Sequence, residues 1–275
     1  MPELPEVETV VRDLRPKIVG RRIASVRVGK KSLRTRWSSS WAAKIRGRRI
    51  EVARRRGKWI VFDLTGDCSL VFHLGMTGRL TVHPTEETPA PHTHLRFNVE
   101  RGEELRFNDI RRFGSATFYA NANALEKSFQ QSRLGPEPFD LDARYWRERL
   151  AATNRCIKTV LLDQTVVAGV GNIYADESLF ESGLHPARLA SELAGSESDC
   201  LRIAVRKVLR RAIEQRGSSI RNYVGGSGLK GRYQDEFRVY GRAGEPCPRC
   251  RTPIERIRLA GRSTHYCPEC QRKSG

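Results

Sequence analysis

The chain contains no apolar run approaching the roughly 20 residues that a helix needs to cross a bilayer, and its start lacks the charged-then-apolar pattern of an export signal. The sequence therefore predicts a soluble, cytoplasmic protein with no membrane partner. It also lacks internal repeats and low-complexity stretches, which leaves ordinary globular domains, and 275 residues are enough for two of them, each with its own core. Acidic residues are scarce beside basic ones: 31 Asp and Glu face 50 Lys and Arg, a formal net charge of +19. Such an excess points to a polyanionic partner, most often nucleic acid, because neutralised phosphates release condensed counterions. The basic residues cluster all along the chain, at Arg21-Arg22, Lys30-Lys31, Arg46 to Arg49, Arg54 to Lys58, Arg111-Arg112 and Arg206 to Arg211. A solvated face explains any one run but hardly all. An anionic membrane surface would ask for strongly apolar amphipathic faces, and none accompanies these runs.

Up to about residue 120 the pattern after a first helix is β-rich. Val7, Val10, Val11, Leu14 and Ile18 recur at three- and four-residue spacing, one face of a helix. Short strands are predicted at Ile23 to Val28, Arg49 to Ala53, Trp59 to Leu64, Ser69 to His73, Arg79 to Val82 and Gly114 to Ala120. A hairpin is predicted from His94 to Asn108 around Glu100-Arg101-Gly102. Many strands at this spacing suggest a β-sandwich or barrel. Gly135-Pro136-Glu137-Pro138 then marks a change to helices, predicted at Ala143 to Ala152, Lys158 to Gln164, Tyr174 to Glu181 and Cys200 to Gln215. Gly217 to Gly231 reads as a mobile glycine-rich loop. The resulting α+β division is a leading helix with a β-rich domain over 1–130, a helical domain over 131–235 and a terminal module over 236–275.

Two places carry chemistry. The chain opens Met1-Pro2-Glu3-Leu4-Pro5-Glu6. Proline and acidic residues suit the first turn of a helix, so this is a helix start on the bland reading. With Met1 removed, however, Pro2 becomes a secondary amine titrating near pKa ~8, partly neutral and nucleophilic at pH 7, with Glu3 beside it as a proton donor.

The second place is Cys247-Pro-Arg-Cys250 and Cys267-Pro-Glu-Cys270, two pairs sixteen residues apart. That is the spacing of a four-cysteine zinc site, favoured over a disulfide pair or an iron–sulfur centre. Four thiolates close the shell, so the one Zn2+ is expected to be structural. Between the pairs, strands Ile254 to Leu259 and Ser263 to Tyr266 would place Arg262 at a hairpin tip, either as one more exposed arginine or as a cation for phosphate. Cys68, Cys156 and Cys200 are scattered and are expected to pack as small hydrophobes.

Taken together, Pro2-Glu3-Leu4-Pro5-Glu6, His73-Leu74-Gly75-Met76-Thr77-Gly78, Asp109-Ile110-Arg111-Arg112-Phe113-Gly114, Gly169-Val170-Gly171-Asn172-Ile173-Tyr174 and the four cysteines resemble the formamidopyrimidine-DNA glycosylase family across the whole chain. The resemblance implies an N-terminal β-sandwich, a helical domain with a helix-two-turn-helix, and a terminal zinc-finger β-hairpin. It further implies a monomer acting on double-stranded DNA that contains an oxidised purine such as 8-oxoguanine or a formamidopyrimidine. By that resemblance Pro2 forms a Schiff base with the damaged nucleotide and Glu3 moves protons at the opening sugar. Lys58 assists, or merely contacts phosphate, and Arg262 serves the second elimination or phosphate binding alone. Met76, Arg111 and Phe113 would enter the duplex where the base has left, with Arg111 on the orphaned cytosine; the alternative for Met76 and Phe113 is core packing, which the flanking glycines and arginines oppose. Asn172, Lys158, His92 and Arg155 match contacts to the DNA backbone, and Gly217 to Tyr233 matches a lid over the extruded base.

One departure stands out. His265, in Arg262-Ser263-Thr264-His265-Tyr266, occupies a place where the family leads one to expect an aromatic residue, and an additional zinc contact from it is conceivable. Two competing functions remain at this stage: a sister activity on oxidised pyrimidines, opposed by Leu4 and the intact Met76, Arg111 and Phe113 set, and a non-catalytic zinc-ribbon DNA binder, which has no need of a free N-terminal proline.

Overall fold

The computed structural model describes residues 2–219, 225–226 and 228–273. Its contacts divide the chain into two compact units, Met1–Gln131 with Gln215–Arg232, and Ser132–Glu214 with Tyr233–Gly275. The segment Gln215–Arg232, placed with the helical domain on sequence grounds, packs with the first unit. Residues 220–224 and 227 of the expected lid lie outside the described residues.

The first unit starts with α1 (Leu4–Ile18), whose expected apolar stripe is fully buried. Two antiparallel four-stranded sheets follow. One has the order β1-β6-β7-β5, from Ile23–Val28, Thr93–Val99, Glu103–Asp109 and Gly78–Pro84. The other has the order β2-β3-β4-β8, from Ile50–Arg56, Trp59–Leu64, Cys68–His73 and Ser115–Tyr119. Inward side chains of both sheets meet α1 in a single core that includes Val7, Leu14, Ile60, Phe62, Phe72, Phe97 and Phe107. Phe72 is its hub, with ring centroids of Phe62 at 5.5 Å and of Phe97 and Phe107 at 5.7 Å each.

Strands β3 and β4 do not alternate between buried and exposed. Their outward residues Val61 and Val71 are covered by Leu125 and Phe129 of α3 (Ala122–Gln131), a helix that sequence periodicity left unrecognised. The short α2 (Ser39–Ile45) was missed as well, since it buries only Ile45.

In the second unit, α4 (Ala143–Ala151), α5 (Ile157–Leu162), α6 (Asn172–Ser182) and α7 (Gly195–Glu214) surround a core in which the Trp146 indole donates to the Ser198 carbonyl at 2.9 Å. Helix α6 is buried on nearly every side, which explains why no amphipathic pattern marks it. Its Glu177 accepts backbone N–H groups from Arg238, Val239 and Tyr240 at 2.9–3.2 Å, fixing the approach to the terminal hairpin β9 (Glu255–Leu259) and β10 (Arg262–Tyr266). Burial pushes the Glu177 carboxyl above its ordinary range, against the three N–H donors. Cys68 is buried as expected, but Cys200 is exposed on α7, contrary to its expected packing. Among the described residues no helix is long and apolar enough to cross a membrane.

Truncating the hub should be costly: Phe72→Ala is expected to lower unfolding stability by about 3–5 kcal/mol, read as a shift of the urea midpoint.

Candidate active site and metal centre

The amine end of the chain is held by reciprocal hydrogen bonds. Glu3 is the N-cap of α1; its side chain accepts the Glu6 N–H, and the Glu6 carboxylate accepts the Glu3 N–H at 2.8 Å. This capping box satisfies two helix-end donors that would otherwise be orphaned. The second Glu6 oxygen accepts the Ser218 N–H at 2.7 Å and the Ser218 hydroxyl at 3.1 Å. Pro2, Glu3 and Glu6 are all buried. One carboxylate thus connects the residue beside Pro2 to the root of the glycine-rich segment, a link that sequence spacing gives no hint of.

Lys58 sits in the two-residue turn between β2 and β3, where Gly57 takes the left-handed φ of 56°. Its side chain is largely buried. On the neighbouring strand, His73 pairs with Trp59 and its ring lies 4.6 Å from the indole. The Gly75 N–H donates to His73 Nδ1 at 3.1 Å, which leaves the ring proton on Nε2. Burial, reinforced by the charges of Lys58 and Arg34, brings the His73 pKa down to about 4. His73 is therefore a neutral donor beside a cationic lysine at pH 7. It went unremarked as a site residue, although its place at the end of β4, just before Gly75-Met76, was a readable signal.

The loops that follow β4 and β7 expose apolar side chains. Met76 is 39% exposed and Phe113 46% exposed, so neither is a core residue. The Arg111 guanidinium lies 4.5 Å from the Phe113 ring centroid, a cation–π contact. His92 is exposed with a φ of 66°, and its carbonyl accepts the Asp109 N–H at 3.0 Å.

In the second unit Asn172 is the first residue of α6, and its Nδ2 donates to the Ser263 carbonyl at 3.0 Å while its Oδ1 has no partner among the described residues. The resemblance expects Lys158 to reach DNA directly; its side chain is instead buried, with Nζ 2.6 Å from Asp176 and bonded to the Ser263 carbonyl at 2.9 Å and the Thr264 hydroxyl at 2.8 Å. An ammonium so enclosed is bound to the hairpin. Arg155 is exposed, but its guanidinium is already paired with Asp163 at 2.8 Å. Arg262 is exposed as the first residue of β10, after a turn in which Ala260 and Gly261 have φ of 46° and 74°. Two successive positive φ values are the hairpin geometry that matches strand twist.

His265 makes no zinc contact: its ring Nδ1 lies 3.2 Å from Asp176, and its backbone N–H donates to the same oxygen at 3.0 Å. The four cysteine sulfurs lie within 4.8 Å of one another, with Sγ–Sγ separations of 3.9 Å for Cys247 and Cys270 and 3.4 Å for Cys250 and Cys267. A tetrahedron with Zn–S bonds of about 2.3 Å has edges of roughly 3.8 Å. Cys247, Cys250, Cys267 and Cys270 therefore hold one structural Zn2+.

A β-sandwich whose leading helix starts at the buried Pro2-Glu3 pair, a helical unit and a four-thiolate hairpin together define a zinc-finger protein of the DNA glycosylase class. Models of the formamidopyrimidine-DNA glycosylase N-terminal domain, its H2TH domain, and the zinc finger found in FPG and IleRS match residues 1–116, 134–224 and 244–272. The formamidopyrimidine-DNA glycosylase of Carboxydothermus hydrogenoformans is 43% identical over 99% of this chain and 100% of its own length, and that of Geobacillus kaustophilus is 44% identical over the same shares. Among solved structures, a Lactococcus lactis FPG variant bound to Fapy-dG DNA superposes with a TM-score of 0.92 at 37% identity, covering 99% of this chain and 100% of that one. A MutM complex with DNA containing carbocyclic 8-oxo-G gives 0.91 at 37% identity over the same shares. The chain belongs to the formamidopyrimidine-DNA glycosylase family.

Two outcomes test this geometry. Metal analysis should return one zinc per chain, lost to mild chelation in Cys250→Ser but kept by the parent protein. His73 stays neutral when folded down to about pH 4, against 6.5 for an ordinary ring. Its contribution to stability is then complete above pH 6.5 and lost as pH falls toward 4. The stability difference between parent and His73→Gln, from urea midpoints at pH 7.5 and 5, should shrink at the lower pH.

Proposed function

We propose that the protein is a bifunctional enzyme that removes oxidised purines from duplex DNA and then cleaves the abasic strand, with Pro2 as nucleophile once Met1 is removed. The observation that carries this reading is the capping box: Glu3 and Glu6 bind each other's backbone and so hold the residue after Pro2 in one position. A nucleophile already in place spares the reaction the entropy of finding it.

The Pro2 nitrogen attacks C1′ of the damaged nucleotide, the bond from C1′ to the base breaks, and the base leaves with a proton. Glu3 donates to the sugar ring oxygen as the ring opens, leaving an iminium between Pro2 and C1′. That cation acidifies the C2′ proton; its removal expels the 3′ phosphate, and a second elimination expels the 5′ phosphate. Lys58 and the neutral His73 beside it suit the phosphates flanking the lesion, and Arg262 suits the second elimination. Met76, Arg111 and Phe113 fill the gap left by the extruded base, with Arg111 toward the orphaned cytosine. Asn172, His92 and Arg155 bind the DNA backbone, and Lys158 acts behind them by holding the Ser263 carbonyl. The net charge of +19 supports a polyphosphate partner. The zinc, closed by four thiolates, takes no part in the chemistry.

Borohydride present during incubation with a duplex carrying 8-oxoguanine opposite cytosine should trap a covalent complex through Pro2. No adduct at saturating binding sinks the Schiff-base mechanism, and faster excision of thymine glycol than of 8-oxoguanine sinks the purine assignment. Glu3→Gln should slow base excision by about 10²–10⁴-fold.

A further inference from the structure

Asp109 closes β7, is completely buried, and precedes four residues that are all exposed. One carboxylate oxygen accepts the Thr77 hydroxyl and, at 3.3 Å, the Arg111 N–H. The other accepts the Gly114 N–H at 2.7 Å. The backbone is pinned as well, since Asp109 N–H donates to the His92 carbonyl at 3.0 Å and its carbonyl lies 2.9 Å from His94 Nε2. Thr77 in turn accepts the Arg111 N–H at 3.1 Å.

A local turn would use only the Arg111 N–H, two residues on. Here the same side chain also takes the start of the next strand, at Gly114, and a side chain from a different loop, at Thr77. The two loops are in backbone contact: a Cβ on Gly75, whose φ is 60°, would stand 2.6 Å from both Gly114 N and Phe113 C. Met76 and the Arg111 to Phe113 segment therefore project from one body. Burying a carboxylate is expensive unless several donors satisfy it, and short fixed donors from two loops do so only when both are in place.

We propose that Asp109 is the positioning residue of the DNA wedge, a buried carboxylate that locks the Met76 loop and the Arg111 to Phe113 loop into a preformed blade. The inference rests on the reading that these loops enter the duplex. Its physical content is entropic: loops ordered before binding lose less freedom on intercalation, so more of the contact energy goes to holding the base pair open. Asparagine retains one acceptor oxygen but turns an amide toward a remaining N–H; alanine removes every side-chain bond and leaves the backbone ones.

The test compares parent, Asp109→Asn, Asp109→Ala and Thr77→Val on two substrates: 8-oxoguanine opposite cytosine in duplex, and a preformed abasic site in a single strand, which has no pair to open and no orphan base. The expected result is a loss of kcat/KM on the duplex of about 10-fold for Asn, about 100-fold for Ala and about 3-fold for Val, with borohydride trapping on the single strand within 3-fold of the parent. A 2-aminopurine next to the lesion should report slower unstacking in the same order. Parallel loss on both substrates, or no loss on the duplex, overturns the wedge role. Thr77→Val, which removes the hydroxyl's bonds to Asp109 and to the Arg111 N–H but leaves the carboxylate, keeps the comparison decisive should the Asp109 variants melt early. Failure of the parent itself to trap or excise would count against the proposed reaction and not against the role of Asp109.

Discussion

The arrangement at the amine end depends on the Glu6 carboxylate. It is buried, it accepts the Glu3 N–H on one oxygen and the Ser218 N–H and hydroxyl on the other, and these partners are separated by more than two hundred residues of chain. A carboxylate taken out of water without partners would be protonated or would force the site open. Satisfied on both oxygens, it makes the head of α1 and the root of the glycine-rich segment conditional on each other. The close packing at Gly217 belongs to the same constraint: with a φ of 74°, a Cβ there would stand 2.8 Å from the Glu6 oxygen.

The same device recurs in both units. Asp109 gathers the Thr77 hydroxyl and two backbone N–H groups, Glu177 gathers three consecutive N–H groups, and Asp176 meets Lys158 and the His265 N–H. In a chain whose 31 acidic residues are outnumbered by 50 basic ones, several of the buried acids bind loop backbone and not arginine. Loops cannot be fixed by burying apolar surface if they must expose it to a ligand. A carboxylate placed beneath the loop supplies the missing restraint, because each oxygen accepts more than one donor and charge-assisted bonds are the stronger kind.

Much of this was legible from local pattern. The α1 stripe, the short strands, the two cysteine pairs and the exposed character of Met76 and Phe113 followed from periods of 3.6 and 2, from metal-ligand spacing and from flanking glycines and arginines. What escaped is long-range closure. Nothing in the sequence near Val61 and Val71 announces that α3 will cover their outer face, or that Ser218 will return to Glu6. Lys158 matches a DNA-backbone contact by resemblance alone, and helix periodicity cannot say that a hairpin from residue 262 onward will cover its ammonium. The neutral state of His73 is likewise a product of burial and of Lys58 beside it, not of any motif.

The terminal hairpin shows how these restraints combine. Zinc fixes the end of the finger that bears the cysteines, but Arg262 lies at the opposite end, beyond the reach of the four thiolates. There β10 is held along its length: Ser263 offers its carbonyl to Asn172 and Lys158, Thr264 its hydroxyl to Lys158, and His265 its N–H to Asp176. His265 also packs its ring 5.2 Å from Tyr240 while reaching Asp176 with Nδ1. A phenyl ring at this position would supply the packing alone and leave the Asp176 oxygen one partner short. The histidine, out of place by sequence expectation, is thus consistent with its surroundings, because the aspartate behind it gives the ring nitrogen a reason to be there. With both ends of the hairpin clamped, the cation at its tip is placed by helix α6 as much as by the metal.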